Sequence, residues 1–214
     1  YQVDKQKAEL IPVNSADYDH YLTLSTAPDL VGDKYAVFLD EYLPYHPDVM
    51  MLGLQTVTAN EYYHALNNFF DEIESKFGCR VVIAAHPKAE LYHNNNYFNN
   101  REIFFSKSAQ LVKHAEFVLA HRSTAISFAV LFRKKLLFLY TDYMVSKMDY
   151  YFKGLSHFAG VLGAECIDIT SKEPKANVLE IVQIKYNEYI CRYLSSKETQ
   201  DTFAANTFIK SLKI

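Results

Sequence analysis

Hydrophobic positions along the chain fall into short unbroken runs separated by stretches of helical period. Tyr35–Leu39, Arg80–Ala84, Glu102–Phe105, Phe117–Ala120, Leu136–Tyr140 and Cys166–Ile169 each read as a strand. Runs without polar alternation are what a strand buried on both faces requires. Between the strands the period lengthens. Tyr62, Leu66, Phe69, Phe70, Ile73 and Phe77 share one helical face. Thr58-Ala59-Asn60-Glu61 is a capping box ahead of them, with Thr58 as N-cap and Glu61 reaching back, and Gly78 closes the helix. A short helix runs through Leu111, Val112 and Ala115, capped by Ser106 or Ser108, and another begins at Ser123 or Thr124. Tyr143–Leu162 reads as helix with an irregularity near Gly154. Ser171 and Pro174 open a long helix to about Leu194, and a final helix covers Gln200–Leu212. Tyr45–Val57 and Glu90–Asn100 read as loops. Ahead of Tyr35 the patterning is weak: Lys5–Val13 reads as a short helix and strand, Tyr18–Thr26 as a strand, and Ala27-Pro28-Asp29 with Gly32-Asp33 as a break.

Strands alternating with helices predict an α/β fold, a Rossmann-like parallel sheet with helices on both faces and right-handed crossovers. The expected organisation has three parts. Residues 1–33 form a lead-in segment, a remnant of an N-terminal domain; 34–195 form the Rossmann-like domain; 196–214 form a C-terminal helix that packs back.

Three strand ends carry polar residues that the strands do not need. They are Asp40 with Glu41, His86 with Pro87 and Lys88, and Ser123 with Thr124 beside Arg122. In a parallel sheet these ends converge on one edge, where open α/β sheets hold ligands. Hydroxyls beside free backbone N–H groups suit a phosphate. An imidazole adjustable near neutrality can donate to a phosphate oxygen, Lys88 adds a point charge, and Pro87 fixes the turn. Asp40 or Glu41 can act as a general base or hold a ribose hydroxyl. Each also has a structural reading: Ser123 caps a helix, His86 is satisfied by a neighbouring carbonyl, and the carboxylates are a solvated strand end.

Charge and composition narrow the class. Net charge is −3 with both signs interspersed, which gives no electrostatic case for binding nucleic acid. Cys79, Cys166 and Cys191 are odd in number and far apart, as expected of free thiols in a reducing cytosol. No apolar run reaches the roughly 20 residues that cross a bilayer. The chain begins at Tyr1, so the sequence reads as a fragment with room for a targeting or membrane segment upstream. There is no G-x-G-x-x-G, no P-loop and no G-x-S-x-G elbow. The histidine pairs seven apart (His86 and His93, His114 and His121) lack a third ligand, so no structural metal is expected, and His121 reads as a strand-end residue near the site.

Ile83-Ala84-Ala85-His86-Pro87-Lys88, followed by His121-Arg122-Ser123-Thr124-Ala125-Ile126-Ser127, resembles the HP and S-S/T motif pair. That pair marks the nucleotide-binding half of bacterial sialyltransferases and related CMP-sugar transferases of the GT-B fold. The resemblance covers roughly residues 35–170 and implies the C-terminal, nucleotide-sugar-binding domain of such an enzyme. It assigns to His86 the nucleotide phosphate and help to the leaving group, and to Ser123 and Thr124 phosphate binding. Asp40-Glu41-Tyr42 resembles in part the family's D/E-D/E-G motif, which supplies the base; Tyr42 stands where glycine is expected. By resemblance the donor is a CMP-linked sugar such as CMP-sialic acid and the acceptor a glycan or glycolipid of the bacterial surface. Transfer needs no metal, and the enzyme is cytoplasmic with possible peripheral membrane contact. Three alternatives stand beside it: a CDP-glycerol-type glycerophosphotransferase, a UDP-sugar epimerase, and a module that binds a nucleotide sugar without turnover. A second α/β domain of roughly 150 or more residues upstream would favour the transferase over the module.

Overall fold

The computed structural model describes residues 10–171, 180–196, 199–200 and 202–212. Its centre is a sheet of six strands: β1 (Tyr35–Leu39), β2 (Arg80–Ala85), β3 (Ile103–Phe105), β4 (Phe117–Ala120), β5 (Lys135–Tyr140) and β6 (Glu165–Asp168). They lie in the order β3-β2-β1-β4-β5-β6, and every pairing is parallel. Val37 pairs with Val82 on one side and Val118 on the other. The chain runs outward from β1 to β3, returns over the sheet to β4, and runs outward the opposite way. This is the doubly wound, Rossmann-like topology, with its switch point between β1 and β4. All five residues of β1 and all four of β4 are buried, as their unbroken apolar runs require.

Helices cover both faces. On one lies α3 (Ala59–Phe77), whose Phe70 ring stands 5.2 Å from Phe38 of β1. On the other, Phe158 of α7 (Asp149–Leu162) meets Phe138 of β5 at 5.8 Å. Full burial of the Phe38, Phe70 and Phe138 rings stabilises by about 1.5–3 kcal/mol each, and Phe158 is buried in part. At α3 the N-cap forms: Thr58 accepts the Glu61 N–H, and the Glu61 carboxylate reaches back to accept from the Thr58 hydroxyl at 2.6 Å, in place of the backbone N–H that a full capping box would use. Gly78 ends the helix at φ 58°, a conformation that costs glycine little. Beyond it, Arg101 binds Glu74, Asp71 and Asn67 and lies over Phe70, which ties the asparagine-rich segment to α3.

Several elements differ from the sequence reading. Residues 18–26 are no strand: α1 spans Ala16–Thr23, with Ser15 accepting the Tyr18 N–H and Asp17 and Asp19 in the positively polarised first turn. The stretch 45–57 holds α2 (Pro47–Met51), capped by His46, and a 3₁₀ turn occupies Leu43–Tyr45; another occupies Glu90–His93. α4 (Ser108–His114) has Lys107 at its N-cap position with no side-chain cap, so neither Ser106 nor Ser108 caps it. α5 is shorter than expected, Ile126–Leu131, because Ser123–Ala125 form a turn first and Ala125 holds the N-cap position. The break in the helical stretch after β5 falls at Met148, between α6 (Asp142–Lys147) and α7, rather than at Gly154. The long helix expected from Ser171 begins only at Gln183 as α8 (Gln183–Tyr189) and continues as a π-helix over Ile190–Leu194. Its expected opening at Pro174, and most of the expected Lys5–Val13 elements, lie outside the described residues. α9 (Ala204–Ser211) is the final helix.

The two ends of the described chain clasp each other. Asn14, buried, donates to the carbonyls of Thr199 (3.0 Å) and Thr202 (2.7 Å) and accepts from the hydroxyls of Ser195 (2.7 Å) and Thr199 (2.9 Å). Asp19 of α1 accepts the N–H of Ala204 at the start of α9, and the Ser15 N–H donates to Leu194.

Candidate functional site

The topology brings the polar strand ends together. Leu39 and Asp40 at the end of β1, His86 and Pro87 after β2, and Ser123 and Thr124 after β4 all line one cavity of about 560 Å³. It opens at the carboxyl edge, beside the switch point. A second cavity of about 580 Å³ adjoins it and shares Asp17, Ser123 and Thr124 as a common wall. Phe158, Tyr189, Tyr193, His157 and Arg122 line this second lobe. The first lobe mixes polar and apolar walls, and the second adds the rings of Phe158, Tyr189 and Tyr193.

His86 sits half-buried on a constrained turn. Its Nδ1 accepts the Lys88 N–H at 3.2 Å, which leaves Nε2 to carry the proton. Burial, then the neighbouring His46 imidazole 5.1 Å away, holds its pKa below the usual value, so near neutrality the ring is an uncharged donor. Ser123 accepts the Ala125 N–H at 3.3 Å, while the Thr124 hydroxyl has no partner among the described residues. Lys88 does not line the cavity; its ammonium lies 3.7 Å from Asp48. Arg122 belongs to the second lobe, its guanidinium 5.3 Å from the Tyr151 ring centre. A side chain at Gly154 would collide with that guanidinium, so glycine in mid-helix makes room for it.

Asp40 is 4% exposed, and its carboxylate is held by side-chain and backbone donors. Tyr92 donates to Oδ2 at 2.7 Å, Tyr62 stands 3.5 Å from Oδ1, and the backbone N–H groups of Tyr42 and His86 point at the carboxylate. Burial pushes its pKa up from the ordinary 3.8 to about 6. Tyr62 continues the chain to His121, which is fully buried: Nε2 lies 3.0 Å from the Tyr62 hydroxyl and Nδ1 2.7 Å from the Leu139 carbonyl. A carbonyl only accepts, so Nδ1 carries the proton and Nε2 accepts from Tyr62. Burial lowers His121 to about 4 and keeps it neutral. Glu41 accepts the Arg122 N–H at 2.9 Å and is pushed up to about 7, again by burial. Among the described residues no group of three or more His, Cys, Asp or Glu is placed to hold a metal ion.

Sequence reasoning missed part of this site. His20 lies in the stretch that reads as a strand, and Asp17 just ahead of it, yet α1 brings both to the lining of the first cavity. Ser106, Lys107, Ser108 and Gln110 line it as well. Their signal was available: Ser106-Lys107-Ser108 follows the apolar run of β3 as Ser123-Thr124 follows that of β4. Tyr62 and Tyr92 carried no distinguishing signal, since tyrosines at core spacing look alike whether or not their hydroxyls meet a buried carboxylate.

Strand order and cleft together define the chain as a doubly wound, Rossmann-like α/β domain with a polar cavity at its switch point. No known family profile and no curated protein matches the sequence. A crystal structure of the UDP-GlcNAc 2-epimerase of Methanocaldococcus jannaschii, in complex with UDP-GlcNAc and UDP, is similar with a TM-score of 0.43 at 12% identity, over 87% of this chain and 54% of that one. The chain thus spans about half the length of that protein, and a likeness at that level says nothing about the ligand of this cleft. No helix among the described residues is long and apolar enough to cross a membrane.

Proposed function

We propose that the cleft binds a nucleotide-activated sugar, and that the chain is a glycosyltransferase, or the donor-binding half of a GT-B one, acting on a glycan or glycolipid acceptor in bacterial surface-polysaccharide assembly. One observation carries the reading: His86, Ser123 and Thr124, which lie far apart in the chain, line a single cavity at the switch point. The aromatic second lobe suits the base, and the shared wall of Ser123 and Thr124 suits the first phosphate. Asp17, on the same wall, is an acceptor for a ribose hydroxyl.

The chemistry follows from these placements. An acceptor hydroxyl attacks the anomeric carbon, the bond from that carbon to the phosphate oxygen breaks, and negative charge grows on the departing phosphate. In this reading the His86 Nε2–H and the hydroxyls of Ser123 and Thr124, which line the cavity, are the donors to that charge, the kind of arrangement that lowers such a barrier most. We assign Asp40 to holding the turn at His86 through the His86 backbone N–H, not to proton abstraction, because its carboxylate is buried and already accepts from Tyr92 and from two backbone N–H groups. Metal-independent transfer, a cytoplasmic place of action and the sialic-acid donor suggested by the motif pair belong to the same proposal.

The test is calorimetric titration of the chain with CMP, CDP and UDP, beside a His86→Ala, Ser123→Ala double variant. Binding that weakens at least tenfold in a variant that melts like the parent supports the site. A folded wild-type chain that binds none of the three overturns it. Binding without transfer to any glycan acceptor would leave a nucleotide-sugar-binding module in place of the enzyme.

A further inference from the structure

The rings of the second lobe can hold any base, and one of its side chains can choose among bases. Phe158, Tyr189 and Tyr193 line the lobe, with Phe158 5.8 Å from Tyr189 and Tyr189 5.1 Å from Tyr193. Stacking on such rings is nearly indifferent to the base, because every base has a π-face. Selection needs directional hydrogen bonds. Among the described residues lining the lobe, Arg122 alone carries a rigid fork of N–H donors. The fold houses this side chain in three ways. Its backbone N–H is pinned by the Glu41 carboxylate at 2.9 Å and the Tyr151 hydroxyl at 3.0 Å, which fixes where the side chain departs. Its guanidinium carbon lies 5.3 Å from the centre of the Tyr151 ring. Gly154, inside α7 and itself in the wall of the lobe, leaves the space that the guanidinium fills, since a Cβ there would meet Nη1. Glycine is a poor helix former, so the arginine explains its presence there better than the helix does.

We infer that Arg122 is the base-selecting residue of the cleft, and that it takes a base presenting two adjacent hydrogen-bond acceptors. The inference rests on the nucleotide-sugar reading of the cleft, with the base in the second lobe. Two bases have that chemistry. Cytosine offers O2 beside N3, and guanine offers O6 beside N7, the edge that arginine commonly meets with two parallel bonds. Uracil sets an N–H between its two carbonyl oxygens, and adenine sets an amino group between N1 and N7. Each would turn a donor toward the donors of the fork. His157 also lines the lobe, but an uncharged imidazole has a single N–H and cannot make the paired contact.

The experiment is calorimetric titration of the chain with CMP, GMP, UMP and AMP, which share ribose and phosphate and differ in the base alone. It uses wild type, Arg122→Lys and Gly154→Ala. Arg122→Lys keeps the charge and removes the fork. Gly154→Ala keeps the arginine and fills its space. The atoms it displaces are the end of a flexible side chain, and alanine suits a helix, so that variant keeps the fold. The expected result is that CMP or GMP binds wild type roughly tenfold or more tighter than UMP and AMP do, and that the ratio falls to within about twofold in both variants. A preference for CMP identifies cytosine, and one for GMP identifies guanine. Equal affinities in wild type, a preference for UMP or AMP, or a ratio that survives Arg122→Lys overturns base selection by Arg122 but not the nucleotide site. A loss in Arg122→Lys that is equal for all four ligands does the same, since a charge that meets only the phosphate would act that way. A folded wild-type chain that binds none of the four overturns both.

Discussion

Asp40 and His121 are buried ionisable side chains joined through one tyrosine hydroxyl, and their effects on stability oppose each other. Burial raises the Asp40 carboxyl from the ordinary 3.8 to about 6. Between those values the folded protein holds a proton that the unfolded chain has lost, so this group makes stability fall as pH rises from about 4 to 6. His121, lowered from 6.5 to about 4, does the reverse: the unfolded chain holds the proton, and stability rises with pH over nearly the same window. Glu41, raised from 4.5 to about 7, acts in the same sense as Asp40. Asp40→Asn removes one of these slopes. Whatever the variant loses at pH 4, it should regain relative to wild type by pH 6.5, by an amount on the order of 3 kcal/mol. Urea unfolding of both proteins at the two pH values reads this directly, and a difference that does not change with pH would show that folding leaves the Asp40 pKa where it is in the unfolded chain.

Among the elements, α3 is the best specified. Its cap, its apolar face and its glycine stop agree with one another, and such local agreement is what allows a helix to be read from sequence. Thr58→Ala removes the capping hydroxyl and should cost about 1 kcal/mol, lowering Tm by roughly 2–4 °C for a chain of this size. Nucleotide affinity should not change, because Thr58 lies outside the lining of both lobes. A large loss of affinity in that variant would mean that the start of α3 shapes the cleft through Tyr62. α5 shows the opposite case. Ser123 and Thr124 have the composition of an N-cap, yet the chain makes a separate turn first, and the helix begins at Ile126. That turn is what presents both residues to both lobes.

At the scale of the whole molecule, the clasp between the two ends of the described chain builds half of the cleft. Ser15, Asp17, Tyr193 and Leu194 all line the second lobe, and Asn14 holds their segments together. Asn14→Ala strips the Thr199 and Thr202 carbonyls of a donor and the Ser195 and Thr199 hydroxyls of an acceptor. It should cost about 1–3 kcal/mol and weaken nucleotide binding as well. A thermal melt with a titration at a temperature where the variant is folded separates the two effects. Lower stability with unchanged affinity would show that the second lobe does not receive the nucleoside.

The sequence by itself determined the sheet. Six runs became six strands within a residue or so of their expected bounds; the central ones announce themselves because a strand buried on both faces excludes polar residues, while the edge strands β3 and β6 are only partly buried. It also marked His86, Ser123 and Thr124, since polar residues at the ends of such runs stand out. Tertiary structure alone decided the rest. Whether residues 18–26 were strand or helix depended on a Ser15 cap and on packing against α5, which weak periodicity does not record. Lys88 and Arg122 looked like partners of the phosphate donors, but a turn directs one to Asp48, and Tyr151 draws the other into the second lobe. Lys107, Asp17 and the tyrosines that hold Asp40 reach the site from other strands and helices. A linear pattern shows which residues prefer burial or a turn; it carries no term for which distant side chains will meet across a cleft.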